Sequence, residues 1–192
     1  MARSIFIAME PHMGAAEKRL FYKFLYSPDT RFYYEFGSGG STYKAIRAPN
    51  IERIVSMESD TSYYISTQGL LSAPKCERIL IEVGAKNDWG NPLPGLPLSQ
   101  YELYFKHIDS IGVAPDLVLI DGRWRVACAL HAWAKCSART VLLVDDSQRA
   151  EYAGILKYFV VIDSAGDMVA LKARPDVVID PEDFRKYELD RR

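Results

Sequence analysis

The chain has 192 residues with a net charge of −1 at pH 7, which suits one domain with a substantial buried core. Because the charges balance, the composition does not indicate nucleic acid as a partner. The longest apolar runs have only the length of strands, so no membrane span is expected. Three cysteines without a C-x-x-C pair argue against a disulfide framework or a structural zinc site and favour a reducing compartment. We therefore expect a cytoplasmic protein.

Short apolar runs alternate with helical stretches along the chain. An N-terminal helical segment is predicted over 1–31. The predicted strands are 32–37, 53–58, 78–83, 116–121 and 140–146, then a hairpin across 164–167 between 159–163 and 168–173, and a short piece at 177–179. The predicted helices are 41–48, 60–71, 125–136 and 151–159, with a last one after Asp180. This order predicts a single α/β domain of Rossmann-like, doubly wound type, with a mostly parallel seven-stranded sheet and an antiparallel edge hairpin.

Residues 84–107 interrupt this pattern. The segment holds three glycines, three prolines and Trp89 before a regular pattern resumes. Long loops inside a compact domain are usually functional, and ligands of open α/β sheets bind beyond the carboxyl ends of the strands. We predict that 84–107 is a substrate or cofactor loop.

The stretch YYEFGSGGSTY at 33–43 joins the first strand to the next helix. Its glycines permit a tight turn and a close approach of the backbone to a ligand. The helix after the turn begins with hydroxyl side chains and free backbone N–H groups, which suit either a phosphate or a carboxylate. Glu35, at the end of the strand, would repel a phosphate and attract an ammonium group.

Spacing separates the candidate ligands. The run G-S-G-G-S-T from Gly37 matches neither the dinucleotide pattern G-x-G-x-x-G nor the phosphate-binding loop G-x-x-x-x-G-K-[ST]. Glu58 ends the second strand 19 residues after Gly39 (58 − 39), where a ribose-binding carboxylate is expected. A ligand with a ribose, an amino group and a carboxylate but no phosphate is S-adenosyl-L-methionine.

The motif EFGSGGST after the first strand, together with ESD after the second, resembles the class I S-adenosylmethionine-dependent methyltransferases. The resemblance covers most of the chain and implies that the motif residues bind this cofactor. The implied cofactor-binding residues are Glu35, Gly37, Ser38, Gly39, Ser41, Thr42, Glu58, Ser59, Trp89 and Asp121.

Three acids follow the fourth and fifth predicted strands: Asp121, Asp145 and Asp146. Carboxylates that converge at one sheet edge repel each other unless a cation or substrate donors lie between them. The pairing of IDG with a later VDD resembles metal-dependent sugar O-methyltransferases. This resemblance implies that the three acids bind Mg²⁺ or Mn²⁺, or orient the accepting hydroxyl, although one of the later pair could instead cap a helix.

The stretch IDGRWRVACAL and the loop KNDWGNP resemble small methyltransferase-like proteins of bacteria and large DNA viruses, including the chlorovirus type that modify glycans. The expected activity is O-methylation of a sugar or glycan hydroxyl, in host cytoplasm if the protein is viral. The predicted catalytic residues are Asp121, Arg123 and His107, with His12 a further candidate base. Trp124 is interpreted as core or as a stacking platform for a sugar or the adenine, and His131 as a core residue.

Other functions remain open at this point. Another small molecule, a nucleobase or a protein could be the acceptor, although DGRW stands where DNA amino-methyltransferases carry an Asn/Asp-Pro-Pro-aromatic motif. A non-catalytic Rossmann-like binding module is an alternative from another class. Glu35 argues against a nicotinamide dehydrogenase. A small molecule or glycan is the expected partner, without nucleic acid or membrane, and a homodimer is one option for the assembly.

Overall fold

A computed structural model of the chain describes residues 9–84 and 97–190. Its α-helices are α1 (Ala15–Leu25), α2 (Gly40–Arg47), α3 (Thr61–Ser66), α4 (Glu102–Lys106), α5 (Arg125–Lys135) and α6 (Pro181–Leu189). Its strands are β1 (Phe32–Phe36), β2 (Arg53–Glu58), β3 (Cys76–Leu80), β4 (Leu117–Ile120), β5 (Val141–Val144), β6 (Phe159–Ala165) and β7 (Met168–Ala173). Short 3-10 helices cover Leu98–Gln100, His107–Ser110 and Ala150–Lys157.

The seven strands form one sheet in the order β3-β2-β1-β4-β5-β7-β6. The first five strands are parallel, and β7 pairs antiparallel with both β5 and β6. This confirms the predicted Rossmann-like sheet with an antiparallel edge hairpin. Because the strand order reverses between β1 and β4, the turns that follow these strands lie side by side at the carboxyl edge, where α/β proteins bind ligands.

Apolar side chains pack on both faces of the sheet, as expected for parallel strands. Tyr34 and Phe36 of β1 belong to the core on the face that α4, α5 and α6 cover. Tyr33 points to the opposite face and packs in the core beneath α1. Glu35 shares this face with Tyr33, because alternate residues of a strand point the same way. A carboxylate is therefore buried in a mainly apolar face.

Three local predictions differ from the structure. The helix predicted over 60–71 ends at Ser66, and the one predicted over 151–159 is a 3-10 helix, Ala150–Lys157. The piece at 177–179 is not a strand. Ile179 is buried while Val178 is 85% exposed. These residues belong to a coil that packs on the core, and their apolar side chains resembled a short strand in the sequence. Within 9–84 and 97–190, no helix has both the length and the apolar character needed to cross a bilayer.

Candidate functional site

The turn after β1 has the backbone geometry that its glycines predicted. Gly37 has φ +102°, a conformation that L side chains rarely adopt. A Cβ atom at Gly37 would lie 2.7 Å from the carbonyl oxygen of Asp121, because the turns after β1 and β4 pack backbone against backbone. Thr42 Oγ1, in the first turn of α2, accepts a hydrogen bond of 2.8 Å from the Gly39 N–H. The turn is therefore fixed on both sides.

Glu35 lies beneath this turn and is completely buried. Its carboxylate accepts hydrogen bonds of 2.7 Å from both Tyr33 Oη and Ser41 Oγ, and a third from Thr42 Oγ1. Burial raises the pKa of Glu35, and the hydroxyl hydrogen bonds oppose that shift. The predicted direct contact of Glu35 and Thr42 with a ligand does not fit this placement. Their side chains instead hold Ser41 and the start of α2 in position.

Glu58, at the end of β2, lies next to the turn. Its Oε1 accepts hydrogen bonds from the backbone N–H groups of Ser59 (2.7 Å) and Asp60 (2.9 Å). Its Oε2 accepts a 2.5 Å hydrogen bond from Ser38 Oγ. A carboxylate oxygen can accept two hydrogen bonds, so Oε2 retains capacity for a ligand hydroxyl. Ser59 helps to position the Glu58 carboxylate through its backbone N–H.

The segment Met9–Met13 covers the glycine turn. Glu10 forms an ion pair with Lys44 of α2 and accepts a 3.3 Å hydrogen bond from Tyr22 of α1. Its carbonyl passes so close to Gly40 that a Cβ there would overlap with Glu10 and Pro11. A cleft of about 140 Å³ lies between this segment and the turn. We name it the turn cleft, and its lining residues are Met9–Met13, Gly37–Ser41, Tyr63 and Asp121.

A second and larger cavity of about 590 Å³ lies beside the turn cleft. We name it the charged cleft, and it is lined by His12, Asp121, Arg123, Arg125, Asp145, Asp146 and Arg149. His12 and Asp121 line both clefts. Any group transferred from one cleft to the other would therefore pass these two side chains.

Arg125, at the start of α5, lies between the carboxylates of the charged cleft. It is only 6% exposed. Its Nη2 lies 3.2 Å from Asp121 Oδ1 and 3.1 Å from Asp146 Oδ2. Its Nη1 donates a hydrogen bond to the backbone carbonyl of Asp145, and its Nε donates one of 3.1 Å to that of Gly122. One guanidinium thus connects the turn after β4 to the turn after β5.

Two of these acids titrate close to neutral pH. Burial raises the pKa of Asp121 to about 6, against the opposing effect of the Arg125 charge. Burial, reinforced by the Asp121 charge, raises the pKa of Asp145 to about 7. The two carboxyl groups also hydrogen-bond to each other. The pair therefore holds a proton at a pH where an exposed aspartate is fully ionised.

The donor set does not fit the predicted Mg²⁺ or Mn²⁺ site. The guanidinium of Arg125 already occupies the position of a cation between Asp121 and Asp146. Within 9–84 and 97–190, no three acidic, histidine or cysteine side chains are grouped as metal ligands. The sequence analysis inferred that the acids need a compensating cation, and Arg125 supplies that positive charge.

The fold and the two clefts can be compared with known proteins. No protein-family model and no curated sequence matches the chain. A solved structure of a methyltransferase-like protein from Silicibacter pomeroyi is similar, with 27% identity, a TM-score of 0.80 and coverage of 93% of this chain and 95% of that one. The chain has a class I methyltransferase fold.

More distant structures of the methyltransferase fold agree in architecture alone. A precorrin-6y C5,15-methyltransferase from Geobacter metallireducens has 13% identity and a TM-score of 0.50, covering 85% of this chain and 90% of that one. A precorrin-8w decarboxylase from Methanobacterium thermoautotrophicum has 13% identity and a TM-score of 0.52, covering 84% and 91%. Because one of these is named a decarboxylase, the methyltransferase fold by itself does not fix the reaction.

Within this methyltransferase fold, the predicted catalytic residues are not all brought together. Asp121 and Arg123 line the charged cleft. His107 does not line either cleft: its Nδ1 lies 3.1 Å from the hydroxyl of the buried Tyr34, and desolvation lowers its pKa. Trp89 lies outside the described residues.

Two aromatic residues are part of the core. Trp124 is fully buried and stacks on Tyr101 with ring centroids 4.8 Å apart, which agrees with the core interpretation and leaves no open face for a sugar. His131 lies between Asp109 (2.7 Å) and Glu188 (3.0 Å) and joins α5 to α6. It is the core residue that the apolar helix pattern predicted.

Sequence reasoning identified Arg125 as a candidate for contacting the acceptor but not its ion pairs, and it did not identify Arg149, Tyr63 or the backbone of Met9–Met13 as lining the clefts. Arg149 reaches Asp146 at 2.7 Å, and the spacing of three residues between them was the available signal. Arg125 follows Asp121 by four residues, which is the corresponding signal for the central ion pair. Tyr63 and the backbone of Met9–Met13 carried no recognisable motif, because a coil and one face of a short helix have no fixed pattern.

Proposed function

We propose that this protein is an S-adenosylmethionine-dependent methyltransferase. The observation that carries the proposal is the geometry at the carboxyl edge of β1 and β2. A rigid glycine turn opens onto the turn cleft, and the carboxylate of Glu58 lies beside it, bound to Ser38. A ribose that donates to Glu58 Oε2 would place the rest of the cofactor against the turn and the start of α2. The 27% identical methyltransferase-like structure supports this assignment.

In this proposal the methyl group points from the turn cleft toward the charged cleft. Methyl transfer from a sulfonium requires little covalent assistance, so the protein mainly aligns the accepting atom, the methyl carbon and the sulfur. Asp121 lies where the clefts meet, and burial raises its pKa to about 6. It would accept a hydrogen bond from a donor of the acceptor next to the reacting group and so orient the acceptor, and its own position is fixed by Arg125.

We further propose that the acceptor is a hydroxyl of a sugar or glycan. The charged cleft, at about 590 Å³, is large enough for such a group and is lined by charged side chains. Carboxylates accept hydrogen bonds from hydroxyls, and the guanidinium groups of Arg123 and Arg149 donate them. An apolar acceptor would desolvate this charged lining without replacing its hydrogen bonds to water, which is costly.

Calorimetric titration with S-adenosylmethionine and S-adenosylhomocysteine tests the cofactor. Both should bind, and Glu58→Gln should lose a charged hydrogen-bond acceptor worth about 1.5–3 kcal/mol, or roughly a 10–100-fold rise in Kd. Glu52→Gln is the matched control, because Glu52 is exposed at the amino end of β2 and pairs with Arg31. Absence of binding to either compound by the folded protein would refute the proposal.

A separate assay tests the acceptor. Production of S-adenosylhomocysteine is followed while deoxysugars and nucleotide sugars are supplied in turn. Turnover that depends on one of them would support O-methylation of a sugar. If the cofactor binds but turnover occurs only with a nucleobase or a protein, the proposed methyltransferase activity stands. The proposal of a sugar acceptor is then refuted.

A further inference from the structure

His12 stands at the junction of the two clefts, on a segment outside the sheet. It lines the turn cleft together with Gly37–Ser41 and lines the charged cleft together with Asp121 and Arg123. Under the proposed function, on which this inference rests, the reacting methyl group crosses this junction. Asp121 is the other side chain that lines both clefts, so these two residues flank the path of transfer.

The backbone around His12 is held in place. Glu10 pairs with Lys44 and Tyr22, and its carbonyl lies against Gly40. Pro11 is buried, and its carbonyl accepts a 2.9 Å hydrogen bond from the Met13 N–H. His12 is thus fixed at its backbone while its imidazole remains exposed.

The ring of His12 is available to a ligand. Within the described parts of the chain, it takes part in no hydrogen bond or ion pair, whereas both ring nitrogens of His131 are occupied. The carboxylate of Asp121 is less available, because Arg125 and Asp145 already hydrogen-bond to it. Of the two side chains at the junction, the imidazole is therefore the better placed to take up a proton.

Charged groups of both signs face His12. Carboxylates of Asp121, Asp145 and Asp146 line the charged cleft with it, and Glu17 and Asp167 line an adjoining cavity. Opposing positive charges come from Arg123, Arg125, Arg149 and Lys18. Arg125 and Arg149 are paired with Asp121 and Asp146, so the charges within these pairs largely compensate each other.

We infer that His12 is the general base that takes the proton from the accepting hydroxyl during methyl transfer. The acceptor oxygen forms a bond to the methyl carbon, the carbon–sulfur bond breaks, and its electron pair remains on sulfur as the neutral thioether. The hydroxyl proton moves to a ring nitrogen of His12, which becomes an imidazolium and later releases the proton to water. Atoms and charge balance without a further reactant.

The ring resonances of the three histidines test the position of His12 without knowledge of the acceptor. S-adenosylmethionine and S-adenosylhomocysteine differ by the methyl group and the positive charge on sulfur. The His12 resonances should differ between the two complexes at one fixed pH, while those of His107 and His131 should be the same. Identical His12 resonances in two formed complexes would overturn the inference. If neither compound binds, the proposed function fails and this inference fails with it.

Turnover with an acceptor from the screen tests the chemistry. His12→Gln should lower kcat by about 10²–10⁴-fold, the usual contribution of a general base, with a much smaller change in the Kd of S-adenosylhomocysteine. The limb of the pH–rate profile that reports deprotonation of the base should also disappear. Arg19→Gln is the control, because Arg19 is an exposed basic residue of α1 outside both clefts. An unchanged kcat in His12→Gln would refute the role.

Discussion

Arg125 determines how the acidic residues of the site behave. Its guanidinium contacts Asp121 and Asp146 and the backbone carbonyl of Asp145. Removal of one partner from such a buried group is costly, since the other charge is left uncompensated. Asp146 adopts a positive φ of 55° in this turn, a conformation that aspartate tolerates better than most residues. A mobile metal ion would not constrain the two turns in the same way as a side chain that belongs to α5.

The raised pKa values of Asp121 and Asp145 make stability depend on pH. A carboxyl whose pKa is higher in the folded state binds more protons when folded, so its contribution to stability is lost as the pH rises from about 4 to about 7. Asp145→Asn removes one ionisable group of the pair. We expect a gain at pH 8 of about 1 kcal/mol, or about 2–4 °C in Tm, and a much smaller difference at pH 4.5.

Thermal unfolding at the two pH values measures this effect. Asp163→Asn is the control of opposite sign, because the Lys23 ammonium lowers the pKa of the Asp163 carboxyl. Loss of that carboxylate should not raise Tm at pH 8. A Tm of Asp145→Asn at pH 8 equal to or below that of the wild type would contradict the interpretation of the buried pair.

The local features that the sequence predicted best are those tied to backbone geometry. Gly37 and Glu58 were predicted from spacing, because a glycine turn and a carboxylate at a strand end have fixed positions in this fold. Glu35 was placed wrongly in the cleft. Its alternation with Tyr33 put it on the face that α2 covers, and the hydroxyls of Ser41 and Thr42 that satisfy it come from a different element. Which element supplies a buried partner is decided by tertiary packing.

The segment Met9–Met13 shapes the two clefts although it belongs to no strand or helix. It forms the outer wall of the turn cleft and brings His12 to the charged cleft. Strands of the sheet were predicted to within three residues at each end, since apolar runs bounded by glycine or aspartate have few alternatives. A coil held by the Glu10–Lys44 pair and by contact with Gly40 carries no such periodicity.

Gly40→Ala should displace this segment. Alanine favours a helix more than glycine does, so α2 itself should not lose stability. Its Cβ would however overlap with the backbone of Glu10 and Pro11. We expect the Kd of S-adenosylhomocysteine to rise about tenfold, or 1.4 kcal/mol, by calorimetry.

Gly69→Ala provides the control for this experiment, because a Cβ there meets no atom within 4 Å. Equal affinities in Gly40→Ala, Gly69→Ala and the wild type would mean that Met9–Met13 does not form part of the cofactor site.

The turn cleft lies at the middle of the carboxyl edge of the sheet. β1 and β4 are neighbours in the strand order, and the strands on either side are buried between two helical layers. The alternation of strands and helices predicted this architecture, whereas the order of the strands was not predicted, because spacing along the chain does not determine which strands are neighbours. A ligand at this position binds the folded chain and not the unfolded one.

S-adenosylhomocysteine should therefore stabilise the molecule as a unit. At a hundredfold excess over its Kd, a ligand that binds only the folded state adds about 2.7 kcal/mol, or about 5–10 °C in Tm for a chain of this size. Adenosine diphosphate, whose phosphates have no counterpart in the proposed ligand, is the comparison compound. A larger shift with adenosine diphosphate than with S-adenosylhomocysteine would favour a nucleotide site instead.

The turns after β1 and β4 contact each other through backbone atoms in both directions. A Cβ at Gly37 would lie 2.7 Å from the Asp121 carbonyl oxygen, and one at Gly122 would lie 2.9 Å from that of Phe36. Neither loop can be lengthened or re-angled without moving its neighbour. During divergence, new specificities in this lineage should therefore arise by exchange of side chains on the rim and in peripheral segments, while these two loops keep their length and their glycines.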